Sequence, residues 1–350
     1  MTGKYMAYVG SYSYTGKAKG ITVYDVDVEA GKFIYRCEVE VDNSSYLKSS
    51  QNGKILYSIA DEGVVAFRVL PNGSLARLNS AKIKGMRGCH LSTSKADDYI
   101  FISGFHDGKI TVLHLNEDGS VGDIADGVFH KGLGSVAERS FRPHVSCSRL
   151  TPDERFLMVA DLGIDQIKVY RFDHKDGKIA LVDTIRCELE SAPKYFMFSS
   201  DGRFFYVLYE MKNVIEVYSY KEGERVPIVE KIQTISSTGS KPNQLTAACA
   251  MYFSPDEKHV FCSNAGDNTV SMYDRDDETG MLTLRFCLPI SGDYPKDIAI
   301  FPGGEHLASI NHEGSISFFK IDYEKGLLVM SDRSIKVNEP NCCEIVKIGD

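Results

Sequence analysis

The sequence predicts an all-β protein, a seven-bladed β-propeller with four-stranded blades. A polar turn, a run rich in Val, Ile, Tyr and Phe, a second polar turn and another alternating run recur along the 350 residues. The first turn of successive copies recurs at intervals of 45, 56, 48, 55 and 47 residues, at Asn52, Asp97, Asp153, Asp201, Asp256 and Gly303. A period of about 50 residues made of short strands is typical of propeller blades.

Each copy divides into four strands. Around TPDERFLMVADLGIDQIKVYRF, strands are predicted at His144–Leu150, Arg155–Asp161, Gln166–Phe172 and Ile179–Arg186. β-Branched and aromatic residues favour strands, and the Gly, Asp and Asn residues that bound them favour turns. Almost no helix is expected, because no stretch keeps a 3.6-residue apolar period between caps.

The two ends of the chain are predicted to complete one blade. The N-terminal copy, KYMAYVGSYSYTGKAKGITVYDVD, lacks a first strand, and an isolated first strand, Pro340–Ile348, ends the sequence. Pairing the two removes two open sheet edges and closes the ring. No linker of Pro, Gly or Ser composition interrupts the period, so residues 1–350 are expected to form one propeller domain.

Composition and charge exclude several classes of partner. The net charge is −8, which argues against a generally basic nucleic-acid-binding chain. No apolar run is long enough to span a membrane, and the first ten residues lack the features of a signal peptide. The nine cysteines form no CxxC motif and are interpreted as reduced thiols of a cytoplasmic protein. The oligomeric state stays open.

A ligand site is predicted at one mouth of the central channel. In an antiparallel blade the start of the first strand lies beside the end of the second, so these positions converge from every blade. The longest period contains an inserted loop, Gly132–Pro143, of a kind that is more often functional than decorative. Five cations are expected at the mouth: Arg87, Arg139, Arg142, Lys194 and Lys296.

A cationic opening in an acidic protein suits a small anionic ligand. Alternatively, the cations form channel-lining salt bridges with Asp61, Glu62, Asp161 and Asp297. Histidines at 90, 106 and 312 show no metal-ligand spacing, so no metal is predicted. No phosphate-cradling glycine loop or serine-hydrolase motif occurs, and no cofactor is predicted.

Three segments resemble a known family: VGSYSYTGKAKGITVYDVD (Val9–Asp27), GSVAERSFRPHVSCSRLTPDERFLMVADLGIDQIKVY (Gly134–Tyr170) and the Pro–x–Cys strand at Pro340–Cys342. The sequence is similar to the seven-bladed propeller lactonases, which include the propeller-type 6-phosphogluconolactonases and the carboxy-muconate lactonising enzymes. The resemblance covers essentially the whole chain and implies the same fold.

The resemblance also implies site residues. The Arg and the first His of the family's loop segment match Arg139 and His144, whereas the second His is Ser146 here. The family's Gly-Pro-Arg-His, Asn-Glu, Ser-Asn-Arg-Gly and Pro-Arg segments correspond to Ala192-Pro193-Lys194-Tyr195, Tyr209-Glu210, Ser263-Asn264-Ala265-Gly266 and Pro295-Lys296. Three family arginines are therefore lysine or alanine in this chain.

Hydrolysis of a lactone needs a base for water, donors for the oxyanion and a proton for the leaving alkoxide. We predict that His144 and Glu210 share the acid–base work and that Lys194 polarises the carbonyl. The substrate-binding residues are predicted to be Arg139, Arg142, Lys296, His312 and Tyr195. The expected substrate is a small anionic sugar lactone.

Two other functions fit the same residues. A muconate-type lactonising enzyme or isomerase would accommodate the replaced arginines, since Arg and Lys are not equivalent in gripping planar anions. A non-enzymatic propeller that binds a small ligand or a protein partner would accommodate the changed Arg and His positions. A screen with phosphorylated and unphosphorylated lactones separates the lactonising enzyme from the hydrolase. Ligand-dependent thermal stabilisation without turnover would indicate the binding propeller.

Overall fold

The structure is a computed structural model that describes residues 3–135, 141–239 and 241–349. These residues form 28 strands joined by turns, and the described ranges contain no helix. The strands make seven separate four-stranded antiparallel sheets. The predicted seven-bladed propeller is confirmed. The described part of the chain contains no helix of the length and apolarity needed to span a bilayer.

Blades are numbered here from the N-terminus. Blade 1 contains β1 (Lys4–Ser11), β2 (Gly20–Asp27) and β3 (Lys32–Glu40), with β28 (Pro340–Gly349) as its innermost strand. Blade 2 contains β4 (Leu47–Ser49), β5 (Ile55–Ala60), β6 (Gly63–Val69) and β7 (Leu75–Lys82). Blade 3 contains β8 (His90–Thr93), β9 (Tyr99–Gly104), β10 (Lys109–Leu115) and β11 (Val121–Phe129).

The remaining four blades follow the same order from the channel outward. Blade 4 contains β12 (Val145–Leu150), β13 (Phe156–Asp161), β14 (Gln166–Asp173) and β15 (Lys178–Arg186). Blade 5 contains β16 (Pro193–Phe198), β17 (Phe204–Tyr209), β18 (Val214–Lys221) and β19 (Ile228–Ser236). Blade 6 contains β20 (Ala247–Phe253), β21 (His259–Ala265), β22 (Thr269–Arg275) and β23 (Leu282–Pro289). Blade 7 contains β24 (Pro295–Ile300), β25 (His306–Asn311), β26 (Ser315–Asp322) and β27 (Leu327–Lys336).

In blades 2 to 6, a hydroxyl side chain holds the turn between the first two strands. In blade 5 the Ser199 Oγ donates to Asp201 Oδ1 at 2.6 Å and accepts from the Phe204 backbone N–H at 3.1 Å. In blade 6, Ser254 makes the same bonds, to Asp256 at 2.6 Å and from His259 at 3.0 Å. Such local side-chain bonds favour turns over continued strand, which explains why the polar turn recurs with the blade.

Neighbouring blades pack face to face and are linked by tyrosine hydroxyls. Six apolar clusters together fill all seven interfaces between blades. At four interfaces a tyrosine in the second strand of one blade donates to a carbonyl in the outer turn of the next, namely Tyr8 to Gly73, Tyr57 to Gly119, Tyr99 to His174 and Tyr206 to Gly280, at 2.8–3.0 Å. A tyrosine thus buries its ring and satisfies its hydroxyl at once.

The C-terminal strand closes the ring, as predicted from the unpaired ends of the sequence. β28 pairs antiparallel with β1, from Lys4 opposite Gly349 to Ser11 opposite Pro340. Gly10 of β1 lies in a crowded position: a Cβ here would stand 2.6 Å from the Ser44 carbonyl oxygen and 2.8 Å from the Cys342 Sγ. Only glycine fits there without displacement of the closing strand.

We expect Gly10→Ala to destabilise the protein by about 1–3 kcal/mol, the usual cost of overpacking a filled interior. The free energy of unfolding in urea measures the effect. Gly303→Ala is the matched control, because its Cβ would have only Val28 as a neighbour, at 3.8 Å. Equal stability of the two variants would contradict the role given to Gly10 in closure.

Candidate active site

A cavity of about 320 Å³ occupies the predicted mouth of the channel, and all seven blades contribute to its lining. Its chemically relevant side chains are Tyr12, Tyr46, Arg87, Cys89, His90, His106, Ser146, Lys194, Tyr195, Glu210, Cys249, Tyr252, Tyr294, Lys296, Asp297 and Asn341. A larger hollow of about 850 Å³ lies on the opposite face, among turns of blades 2 and 3 and the end of β28, and its lining includes none of the predicted site residues.

A repeated backbone irregularity aims five side chains into this cavity. The inner strands of blades 1, 4, 5, 6 and 7 each shift register against the second strand by one residue. A bulge of this kind re-aims the extra residue, which leaves the regular alternation of the strand. The bulged residues are Ser146, Lys194, Cys249, Lys296 and Asn341, and all five line the cavity.

Lys194 and Glu210 form an ion pair in the cavity wall. Pro193 of β16 is paired with Tyr209 of β17, and Lys194 is the bulged residue after Pro193. Glu210 follows the end of β17 and donates its backbone N–H to the Ala192 carbonyl oxygen at 2.9 Å. The Lys194 Nζ lies 2.7 Å from the Glu210 Oε2, with side chains 25% and 11% exposed. Burial by itself lowers the pKa of Lys194, but Cys249 and Glu210 outweigh it and raise that pKa above its ordinary value. Lys194 therefore stays an ammonium at neutral pH.

Lys296 is the second cavity lysine, and it makes no ion pair within the described residues. Its Nζ lies 5.3 Å from the centre of the Tyr12 ring. Burial, and then the charge of Lys194, lower the pKa of Lys296. His312 stands edge-on to the same Tyr12 ring at 5.8 Å, with its Nδ1 3.2 Å from the Pro340 carbonyl oxygen. The structure thus brings Lys296 and His312 to the same tyrosine.

Arg87 also approaches Tyr12. Its Nη1 donates to the Asp61 Oδ1 at 2.9 Å, and its guanidinium carbon lies 4.9 Å from the Tyr12 ring centre. Cations over an aromatic face are attracted by the ring quadrupole. Tyr12 therefore interacts with both Arg87 and Lys296.

The inner part of the cavity is a layer of tyrosines around one carboxyl group. Tyr252 donates to the Asp297 Oδ1 at 2.8 Å, and the Cys343 backbone N–H donates to the Asp297 Oδ2 at 2.9 Å. Burial raises the pKa of Asp297 to about 7. Tyr195, a predicted binding residue, lines this layer, and Arg149 donates to its hydroxyl from outside the cavity lining.

His144 and Arg142 lie apart from the cavity lining. The His144 ring is buried, its Nδ1 is 2.7 Å from the Phe105 carbonyl oxygen, and it stacks on the Phe105 ring at 4.4 Å. Phe105 lines the cavity and covers that face of His144. Arg142 is exposed, with its guanidinium 5.5 Å from the Phe141 ring. Arg139 lies outside the described residues.

Arg149 and Asp297 are among the contributors that were not identified as site residues from the sequence. Arg149 is five residues beyond His144 and contacts Tyr195 from inside the channel. It was missed because the prediction from the sequence covered only residues at the mouth of the channel. Asp297 was considered only as a salt-bridge partner, yet it accepts hydrogen bonds from a tyrosine and from the backbone. Among the described residues no group of three or more His, Cys, Asp and Glu side chains is placed to hold a metal ion.

Comparison with known proteins identifies the family. Residues 6–345 match the family described as "Lactonase, 7-bladed beta-propeller", and the chain belongs to it. The 6-phosphogluconolactonase of Bacillus subtilis is 27% identical over 350 residues, which are 98% of this chain and 99% of that protein. That of Formosa agariphila is 26% identical over 345 residues, or 95% and 96% of the two chains.

A solved structure supports the same relationship. A Bacteroides fragilis protein provisionally named a 6-phosphogluconolactonase superposes with a TM-score of 0.89 and 29% sequence identity. The superposition covers 99% of this chain and 98% of that one. The predicted resemblance to the propeller lactonases is confirmed, and lactonase-type chemistry is the function class that the family defines.

The raised pKa of Asp297 makes a stability prediction. Its ordinary value is 3.8, so the folded state favours the neutral acid and becomes less stable as the pH rises towards about 7. Asp297→Asn cannot ionise. We expect the unfolding free energy of the wild type to fall relative to this variant between about pH 4 and pH 7, by up to about 4 kcal/mol at about 1.4 kcal/mol per pH unit. A difference that does not change with pH would contradict the assignment.

Proposed function

We propose that this protein hydrolyses a small anionic sugar lactone, as a lactonase of the 6-phosphogluconolactonase type. The observation that carries the proposal is the 2.7 Å pair of Lys194 and Glu210, with the uncompensated Lys296 in the same cavity. The names of the Bacillus and Formosa relatives support the choice of substrate class.

Glu210 is proposed as the general base. Its carboxylate accepts a proton from water, the water oxygen attacks the lactone carbonyl, and the carbonyl electrons move onto the oxygen. The Lys194 ammonium donates a hydrogen bond to that oxygen, a stabilisation that is strong in a site with little water. When the ring C–O bond breaks, the proton held by Glu210 passes to the leaving alkoxide, and the carboxylate is restored.

His144 receives a different role from the one expected from the sequence. Its ring is held by the Phe105 carbonyl and covered by the Phe105 ring. We therefore propose that His144 positions this part of the wall and that the acid–base steps belong to Glu210. Arg139 remains a predicted binding residue.

The anionic group of the substrate is proposed to bind beside Lys296 and Arg87, because binding an anion there restores the charge that burial disfavours on Lys296. His312 and Tyr195 would border the bound sugar. The hydroxyl groups of the sugar would meet Tyr46, Tyr252 and Asn341, the sparse polar groups that orient a ligand in such a cavity. The nine cysteines are all free thiols, which favours a reducing compartment and supports a cytoplasmic location.

Glu210→Gln should lower kcat for lactone hydrolysis by about 10²–10⁴-fold, because a positioned base contributes that much. The rate of acid release from 6-phosphogluconolactone measures it. Glu62→Gln is the matched control, since Glu62 also pairs with a lysine at 2.7 Å but both side chains are more than 70% exposed. A fully active Glu210→Gln variant would remove Glu210 from the mechanism. Ligand-dependent thermal stabilisation without any turnover would favour a binding propeller.

Lys296→Met should discriminate against charged substrates. We expect it to raise KM for 6-phosphogluconolactone by about tenfold or more, the cost of one charge-assisted contact. KM for unphosphorylated gluconolactone should change much less. Equal changes for the two lactones would show that Lys296 does not bind the anionic group.

A further inference from the structure

The two cavity lysines differ in what faces them. Lys194 is held by the Glu210 carboxylate at 2.7 Å. Lys296 is the bulged residue of the inner strand of blade 7, and within the described residues no carboxylate lies within ion-pair distance of its amine. Its nearest described aromatic partner is the face of Tyr12. The cavity therefore contains one compensated ammonium and one uncompensated amine.

A confined cavity does not easily hold two ammonium groups. Desolvation penalises the charged form of each amine, and each charge penalises the other. Glu210 decides which lysine keeps its proton, because it stabilises Lys194. Lys296 loses its proton more readily, and its pKa is lowered by burial and by Lys194. Other groups that act on Lys296 electrostatically or stand beside it are Cys89, Cys249, Glu210, His312 and Arg87.

We infer that Lys296 is a nucleophilic amine that forms an imine with small anionic aldehydes that enter the cavity. A desolvated lysine beside another cation is the arrangement that activates an amine for attack on a carbonyl. This activity uses the cavity of the proposed lactonase but does not depend on hydrolysis. Arginine at the same position could bind an anion but could not react, because it does not lose its proton.

The reaction is balanced without an oxidant or a reductant. The lone pair of the neutral Nζ forms a bond to the aldehyde carbon, and the carbonyl electrons move to the oxygen, which takes a proton from the Lys194 ammonium. Lys194 regains a proton from the new C–N ammonium. The hydroxyl group then takes a proton from Lys194 and leaves as water while the nitrogen lone pair forms the C=N bond. The N–H proton of the resulting iminium returns to Lys194, so that one amine and one aldehyde give one imine and one water.

The test is reductive trapping with glyoxylate, an aldehyde that carries one carboxylate, and cyanoborohydride, followed by peptide mass spectrometry. We expect Lys296 to be labelled on the order of tenfold faster than exposed lysines such as Lys54 at neutral pH, because more of it is neutral. Its labelling rate should also level off at a lower pH. Inorganic phosphate should slow the labelling, because a bound anion favours the charged amine.

Two variants keep this inference separate from the proposed hydrolysis. Lys296→Arg keeps the positive charge and should lose the adduct. Glu210→Gln should lose hydrolysis but still form an imine in the cavity, with Lys194 now labelled beside Lys296, because the carboxylate that favours the charge on Lys194 is gone. Labelling of Lys296 in the folded wild type no faster than at exposed lysines, or labelling at Lys194 instead, would overturn the inference.

Discussion

The last strand of the chain, β28, is bound on three sides, and the shape of the cavity depends on it. It pairs with β1 along eight residue pairs. Towards blade 2, Glu344 accepts hydrogen bonds from the Lys48 ammonium, at 3.0 Å, and from the Ser49 hydroxyl, at 2.6 Å. Towards blade 7, the Cys343 N–H donates to Asp297. Because Asp297 also lines the cavity, ring closure and the inner surface of the site share one carboxyl group.

The architecture could be predicted because its causes are local and repeated. Hydroxyl-bound turns such as the one at Ser199 recur in blades 2 to 6, and strand residues occupy the segments between them. Strand bounds in blade 4 were therefore predicted to within about one residue. Ring closure was predicted by counting strands, because the N-terminal copy lacks a first strand and an isolated first strand ends the sequence. These arguments need only neighbours in sequence and the cost of an open sheet edge.

The details of the site depend on geometry that the pattern does not contain. The pairing of antiparallel strands predicts which residues lie at the mouth of the channel. It does not predict which of their side chains point into the channel, because a bulge shifts the alternation along the strand by one residue. Lys194 and Lys296 reach the cavity through such bulges. His144 stands one residue before the regular part of its strand, and a phenylalanine from the preceding blade covers its ring. That contact joins residues 105 and 144, which no local pattern connects.

The charge balance of the cavity explains how an acidic protein can bind an anion with few cations. Of the three cations that line the described part of the cavity, Lys194 faces Glu210 and Arg87 faces Asp61. These pairs fix the positions of two long side chains without adding net charge. The third cation is Lys296. Burial disfavours its ammonium form until a bound anion offsets that cost. Such a site fits one negative group. The bound anion supplies the counter-charge that Lys296 lacks, and so it offsets the free-energy cost of charging this buried amine.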